Sequence, residues 1–398
     1  MQRYDFFCTF AKLFDKLYLF IYKYAQMSTP QSPISNLQSA ICNLQSAISN
    51  IIARYPSDQI FVLLDSGLSA DINDGYTKDK RRINEGYTND YPVLMLSTSE
   101  DHKTLETVQH IWDFLLEHHA TRQALLINIG GGILTDMGGF AAATYKRGID
   151  YVNIPTTLLA MVDAAHGGKT GINYHGLKNH IGVFREPVAT LIEPAFLTTL
   201  DTYTFLSGYA ELIKTALLDS DDFFAQSLAY LEDYISSEQS PITHNLSPLI
   251  NRAIAVKQRI VAADPTEQGL RKALNLGHTI GHALEELGSV SFTHAPITHG
   301  YAVLYGIVAE LYLSQRLLPD CDTSLLQRLT RVLIDVYGKP TCSCRDYDRL
   351  IELMRSDKKN VAADQINFTL LKKAGDPVIN QVATPSQIRE ALDYLFSL

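Results

Sequence analysis

The sequence predicts an α/β half followed by an all-α half. In the first half, short apolar runs of strand length alternate with longer segments whose apolar residues recur at helical spacing. Beyond about residue 200, strand-like runs nearly vanish and helical patterns dominate. The length of 398 residues exceeds one ordinary domain, so two is the natural count.

The elements follow in order. The segment FDKLYLFIYKYAQM near the N-terminus is apolar and aromatic, but Asp15, Lys16 and Lys23 interrupt it. It fits neither a spanning helix nor a signal peptide. ISNLQSA (34–40), ICNLQSA (41–47) and ISN (48–50) form a seven-residue repeat with apolar first and fourth places. Two repeats fall short of a coiled coil, so residues 1–50 are expected to be a low-complexity extension. QIFVLLD (59–65) and YPVLMLS (91–97) read as strands, with the polar NDGYTKDKRRINEGYTND between them as a loop. HKTLETVQHIWDFLLEHH (102–119) places Leu105, Val108, Ile111, Trp112 and Leu115 on a helix. ALLINIG (124–130) is a buried strand, GGFAAATYKRG (138–148) a helix and YVNIPTTLL (151–159) a strand. This alternation argues for a Rossmann-like parallel sheet over residues 51–200. Residues 201–398 hold the helical runs SGYAELIKTALL, SPLINRAIAVKQRIVAAD, LRKALNLGHTIGHALEEL, HGYAVLYGIVAELYLSQRLL and SQIREALDYLFSL, and form the expected helical domain.

Hydrophobic residues make up 46% and charged residues 19%, a globular composition. The net charge of −9 disfavours binding to nucleic acid or an anionic membrane, which want a basic surface. An anionic substrate must instead be held by a local basic cluster. Cys8, Cys42, Cys321, Cys342 and Cys344 are odd in number and lack a framework spacing, so free thiols in a reducing cytoplasm are expected.

AAHGGKTG (164–171) ends in Gly-Lys-Thr, yet Asp163 stands where a phosphate-binding P-loop needs its first glycine. INIGGGILTDMGG (127–139) sets three glycines between a strand and a helix, where free N–H groups and the helix dipole suit a pyrophosphate. Thr135 breaks the usual dinucleotide fingerprint, and a plain tight turn reads equally well. GHTIGH (277–282) puts His278 and His282 on one helix face. That spacing suits a metal or catalytic pair, or two hydrogen-bonded core residues. His299 opens a helical run, and Glu211 and Lys214 share a face among small apolar neighbours, which argues for burial. A carboxylate with two imidazoles is a common Zn²⁺ set. Arg147, Lys169, Lys178, Lys214, Lys257 and Arg271 sit inside apolar or glycine-rich segments, an unusual placement in an acidic chain.

Taken in order, GGGILTDMGGFAAATYKRG, IPTTLLAMVDAAHGGKTGIN, LKNHIGVF, SGYAELIK, LRKALNLGHTIGHALE and HGYAV resemble the 3-dehydroquinate synthases of the sugar phosphate cyclase superfamily. The likeness spans about residues 55–395. It implies a homodimeric cytoplasmic enzyme of the shikimate pathway that uses NAD and Zn²⁺ or Co²⁺. Its substrate would be the sugar acid phosphate 3-deoxy-arabino-heptulosonate 7-phosphate. By resemblance, Glu211, His278 and His299 match the metal ligands, and His282 an active-site histidine behind them. Asp163, Lys169, Asn179, Lys214, Lys257, Arg271 and Asn275 match substrate-pocket positions, and Arg147 an arginine reaching the neighbouring subunit. Gly131, Gly132, Asp136, Thr156, Thr157 and Lys178 match dinucleotide contacts, with Asp65, Glu100 and Lys103 at the adenosine end.

The implied chemistry is coherent. Oxidising a secondary alcohol with NAD acidifies the adjacent C–H, so phosphate can leave by β-elimination. The hydride is then returned, the ring opens and an aldol step closes the carbocycle. Departures from the family pattern are Ala165 and His166 in VDAAHGGKTG, Tyr301 in HGYAV, Gly67 after Asp65, and Asn367 where relatives carry a basic residue. His294, between His278 and His299, is an additional candidate ligand. A sister cyclase, a metal-dependent polyol dehydrogenase and an inactive NAD-binding regulator are the competing readings. Arg271 and Asn275 fit a substrate carboxylate that sister-cyclase substrates lack.

Overall fold

The computed structural model describes residues 34–68, 91–236, 246–290, 294–355 and 365–398. The aromatic N-terminal segment and the polar loop between the first two strands lie outside these residues. Two compact units share the chain: Met1–Asp201 with Gln239–Ser247, and Thr202–Glu238 with Pro248–Leu398.

In the first unit, helix α1 (Ile34–Ile52) covers the second part of the expected low-complexity extension. Leu44, Ile48, Ile51 and Ile52 are buried. Their spacing is that of one helix face, so the seven-residue repeat is two helical turns of apolar pattern. A parallel sheet follows, ordered β2-β1-β3-β4-β7. Its strands are β1 (Ile60–Asp65), β2 (Val93–Leu96), β3 (Leu125–Gly130), β4 (Asp150–Pro155) and the short β7 (Ala189–Thr190). Val62 pairs with Val93 on one side and Ile127 on the other. β1 and β3 are buried along almost their whole length, as expected of central parallel strands.

Helix α2 (Leu105–Glu117) starts at Thr104, whose hydroxyl accepts the Thr107 amide at 3.3 Å. Val108, Ile111, Phe114 and Leu115 face the core. Leu105, expected there, is exposed at the first turn. Helix α3 (Gly132–Thr144) packs Leu134, Met137 and Phe140 into the same core. An antiparallel hairpin, β5 (Lys169–Tyr174) and β6 (Leu177–Phe184), follows β4. Its glycine-rich and polar sequence hides it from an apolar-run reading.

The second unit contains α4 (Thr202–Asp219), α5 (Asp221–Ser236), α6 (Leu246–Ala263), α7 (His278–Val290) and α8 (His299–Leu317). Next come α9 (Ser324–Val332), α10 (Tyr347–Arg355) and, at the end of the chain, α11 (Pro385–Ser397). It is not purely helical: β8 (Asn367–Lys373) and β9 (Asp376–Val382) form a hairpin before α11. No helix among the described residues is long and apolar enough to cross a membrane.

Candidate active site

Three side chains of the second unit converge. The ligand atoms of Glu211, His278 and His299 all lie within 4.8 Å of one another. Glu211 Oε1 is 3.7 Å from His278 Nε2 and 3.3 Å from His299 Nε2. Glu211 sits mid-helix in α4 and is fully buried, while the histidines are the first residues of α7 and α8.

Close helix contact makes this possible. A Cβ on Gly300 would fall 1.7 Å from the Ser207 carbonyl oxygen in α4, and one on Gly306 would fall 1.9 Å from the Gly277 carbonyl oxygen. Glycine at both positions lets α8 approach α4 and the start of α7 at backbone distance.

Hydrogen bonds also aim the rings. His278 Nδ1 lies 3.1 Å from the Leu276 carbonyl, and His299 Nδ1 lies 3.3 Å from Glu285 Oε2. With Nδ1 of each ring engaged in this way, Nε2 is the nitrogen that faces Glu211 and is the one available to a cation. Burial works against charge on His299, but Glu285 and Glu211 outweigh it and push its pKa up to about 10. Two carboxylates around one imidazole thus create a demand for positive charge at this point. A divalent cation fits the carboxylate and two imidazoles in donor type and in electrostatic sign.

The His282 ring stands 5.3 Å from His278 and 5.9 Å from His299, centroid to centroid, outside the converging trio. Spacing alone couples His278 with His282; in space the carboxylate of α4 is the partner that matters. Lys214 Nζ lies 2.5 Å from Glu211 Oε2, and both groups are buried. Lys257 and Arg271 are buried as well. The Arg271 guanidinium donates to the Pro265 carbonyl at 2.6 Å, and Asn275 Nδ2 donates to Glu267 at 2.9 Å. Lys214, Lys257 and Arg271 are thus three buried cationic side chains in this unit.

The first unit holds a separate constellation. Gly131 is the N-cap of α3 and offers no side chain, so the amides at this helix start are open to an anion. Thr156 donates its amide to the Gly130 carbonyl at 3.0 Å, and Gly131, Gly132, Thr156 and Thr157 gather around the same turn. The buried Lys103 Nζ reaches Asp136 at 2.6 Å and Asn179 at 2.5 Å. Glu100 lies 3.8 Å from Lys178. Asp65 ends β1 and accepts from Thr98 at 2.6 Å and from the Gly67 amide at 2.9 Å. Lys169 is exposed at the start of β5, on a hairpin and not at a helix N-terminus, so GGKTG is no P-loop. Asp163 is half-buried in the turn before it. Arg147 is exposed in a left-handed turn, at φ 72° between Lys146 and Gly148.

The chain matches the family described as 3-dehydroquinate synthase N-terminal over residues 93–207, and 3-dehydroquinate synthase C-terminal over residues 208–360. It is 47% identical over 305 residues to a 3-dehydroquinate synthase of Parabacteroides distasonis, covering 76% of this chain and 83% of that protein. The chain belongs to the 3-dehydroquinate synthase family. Two solved sugar phosphate cyclases share its fold. The 2-epi-5-epi-valiolone synthase of Streptomyces hygroscopicus, solved with NAD⁺ and Zn²⁺, aligns with a TM-score of 0.70 at 26% identity, over 85% of this chain and 91% of its own. A 2-deoxy-scyllo-inosose synthase with carbaglucose-6-phosphate, NAD⁺ and Co²⁺ gives 0.70 at 23% identity, over 87% and 94%.

Within this 3-dehydroquinate synthase family member, the departures noted in the sequence have structural partners. His166 is buried with Nε2 2.9 Å from the Met161 carbonyl, bracing the turn that carries Asp163. Tyr301 packs against Tyr203 and Tyr337, with centroids at 4.4 and 4.9 Å. The Asn367 carbonyl accepts from Thr279, the residue after His278. His294, considered as a competing ligand, faces Asp346 at 3.4 Å, away from the trio. Sequence reading missed Glu285 and Glu310. Glu285 lies on the His278 face of α7, and Glu310 is a lone carboxylate inside an apolar helix; either placement is a usable signal.

Proposed function

We propose that the chain is a 3-dehydroquinate synthase, an NAD- and divalent-metal-dependent lyase that converts 3-deoxy-arabino-heptulosonate 7-phosphate to 3-dehydroquinate and phosphate. The observation that carries this reading is the convergence of Glu211, His278 and His299 in a chain that matches both halves of the family.

Glu211, His278 and His299 would hold the metal, which supplies Lewis acidity to alcohol and carbonyl oxygens. The open helix start at Gly131 and Gly132, with Asp136, Thr156, Thr157 and Lys178, would hold the NAD pyrophosphate and nicotinamide side; Asp65, Glu100 and Lys103 would hold the adenosine side. NAD supplies a reversible hydride acceptor. Lys103 positions Asp136 and Asn179 through its two contacts.

Lys169, Lys214, Lys257 and Arg271 bind phosphate and carboxylate groups, with Arg271 suited to a planar bidentate contact. Asn275 and Asn179 orient sugar hydroxyls. By the family resemblance, Asp163 would serve the nicotinamide side of the site, and His282 would relay a proton. Arg147, exposed on its turn, reaches a second subunit of a cytoplasmic homodimer.

Incubation with the heptulosonate phosphate and a catalytic amount of NAD tests the reading. Phosphate release that far exceeds the NAD present, without NADH accumulating, is the expected result. Stoichiometric NADH without phosphate would indicate a polyol dehydrogenase. Inertness toward this substrate, with phosphate release from a sugar phosphate lacking a carboxylate, would indicate a sister cyclase.

A further inference from the structure

We propose a second divalent-metal site in this protein, formed by the imidazole of His294, the thiol of Cys342 and the carboxylate of Asp346, and suited to Zn²⁺ or a similarly borderline-soft ion. The ligand atoms of these three residues lie within 4.8 Å of one another. His294 Nε2 is 3.4 Å from Asp346 Oδ2. None of the three belongs to the Glu211 trio.

The donor types identify the ion class. Imidazole, thiolate and carboxylate are the three side-chain ligands that Zn²⁺ uses, whereas a thiol is a poor donor for Mg²⁺ or Ca²⁺. Thiolate and carboxylate together carry two negative charges, which a dication neutralises. All three residues are half-buried, which leaves room for a water as the fourth ligand.

The site is also braced from behind. Asp346 Oδ2 accepts the Ser343 amide at 2.8 Å and the Ser343 hydroxyl at 3.3 Å, a capping box at the short turn Cys344–Asp346. This holds the carboxylate in place before any ion arrives. His294 lies on the segment that leads into α8, whose first residue is His299. An ion here ties that segment to the turn before α10 and steadies the chain that delivers a ligand to the first centre.

The full-length protein, stripped with a chelator and titrated with Co²⁺, tests the site. The Glu211 trio contains no sulfur, so a thiolate-to-cobalt charge-transfer absorption reports only on the second site. The expected result is two Co²⁺ per chain with this absorption present. Cys342→Ser loses one equivalent and the absorption but keeps turnover, while Cys344→Ser keeps both equivalents. Glu211→Gln loses the other equivalent and keeps the absorption. Asp346→Asn retains an acceptor for Ser343 and weakens the second equivalent by about 10-fold or more. One Co²⁺ per chain, or a charge-transfer absorption that survives Cys342→Ser, overturns the proposal. Those results leave His294 and Asp346 as an ion pair with a thiol beside it.

Discussion

Glu310 Oε2 accepts the backbone N–H of Gly277 at 2.5 Å, and Gly277 immediately precedes His278. Glu310 is fully buried in α8, so its carboxylate fixes the point from which α7 presents His278 to Glu211 and His299. Glu310→Ala leaves a buried amide without its acceptor and is expected to cost about 1–3 kcal/mol of stability. It should also weaken metal binding by about 10–100-fold, as losses behind a ligand do. Glu310→Gln keeps an acceptor and should retain most of both. Thermal unfolding and chelator competition read the two effects, and unchanged metal affinity in Glu310→Ala would refute the positioning role.

Replacing a proposed metal ligand should abolish turnover. Glu211→Ala also removes the carboxylate paired with the buried Lys214, the kind of change that costs about 3–5 kcal/mol and confuses folding with metal loss. Glu211→Gln and His278→Asn are the cleaner variants. Both should fold, lose the tightly held metal of the trio and show no phosphate release even with excess Zn²⁺. A near-normal rate in either would remove the ligand assignment.

Lys103 makes two charge-assisted contacts, to Asp136 and Asn179. Hydrogen bonds to charged groups contribute about 1.5–3 kcal/mol each. Lys103→Met is therefore expected to weaken NAD by about 10–100-fold while leaving metal content unchanged. Isothermal titration with NAD and metal analysis separate these outcomes. Equal loss of both would point to general unfolding.

The parallel sheet was legible because β1 and β3 are mostly apolar, broken only by Asp65 at the end of β1 and Asn128 in β3, a pattern that suits buried central strands. The two hairpins were not, because β5–β6 is rich in glycine and polar residues, and β8–β9 follows a long helical stretch. Burial of Glu211 and Lys214 was legible from their small apolar neighbours. The grouping of Glu211 with His278 and His299 was legible through the family resemblance and not through spacing, because it depends on α4, α7 and α8 approaching at glycine contacts far apart in sequence. His294 read as a rival ligand only because sequence order places it near His299; its ring is turned to a turn that follows α9.

Asp219 closes α4 and is held by Arg259 and Arg252, each at 3.0 Å. Burial works to raise its pKa, but the two guanidinium hydrogen bonds outweigh that and lower it below the ordinary carboxylate value. A depressed folded-state pKa contributes stability that is present above the unfolded value and lost as pH falls through the folded one. Asp219→Asn should therefore lower the melting temperature at neutral pH, and the gap to the parent should narrow as the medium is acidified below the normal carboxylate range. A gap that stays constant across that acid limb would show that Asp219 does not act through its charge.

Gly300 sets the distance between the carboxylate and one imidazole. It follows His299, donates its amide to Ser207 Oγ at 3.1 Å, and would place a Cβ 1.7 Å from the Ser207 carbonyl oxygen. Ser207 lies one turn before Glu211 on α4. The obstructing atom is backbone, so no side-chain rotation relieves the clash, and Gly300→Ala must push α8 off α4. Alanine favours the helix by about 1 kcal/mol over glycine. Overpacking a tight contact costs about 1–3 kcal/mol or more, so the clash wins. The expected outcome is a lower melting temperature together with weaker metal binding, because His299 moves away from Glu211. A variant that melts at or above the parent temperature and holds metal normally would show that α4 and α8 are not locked at this contact.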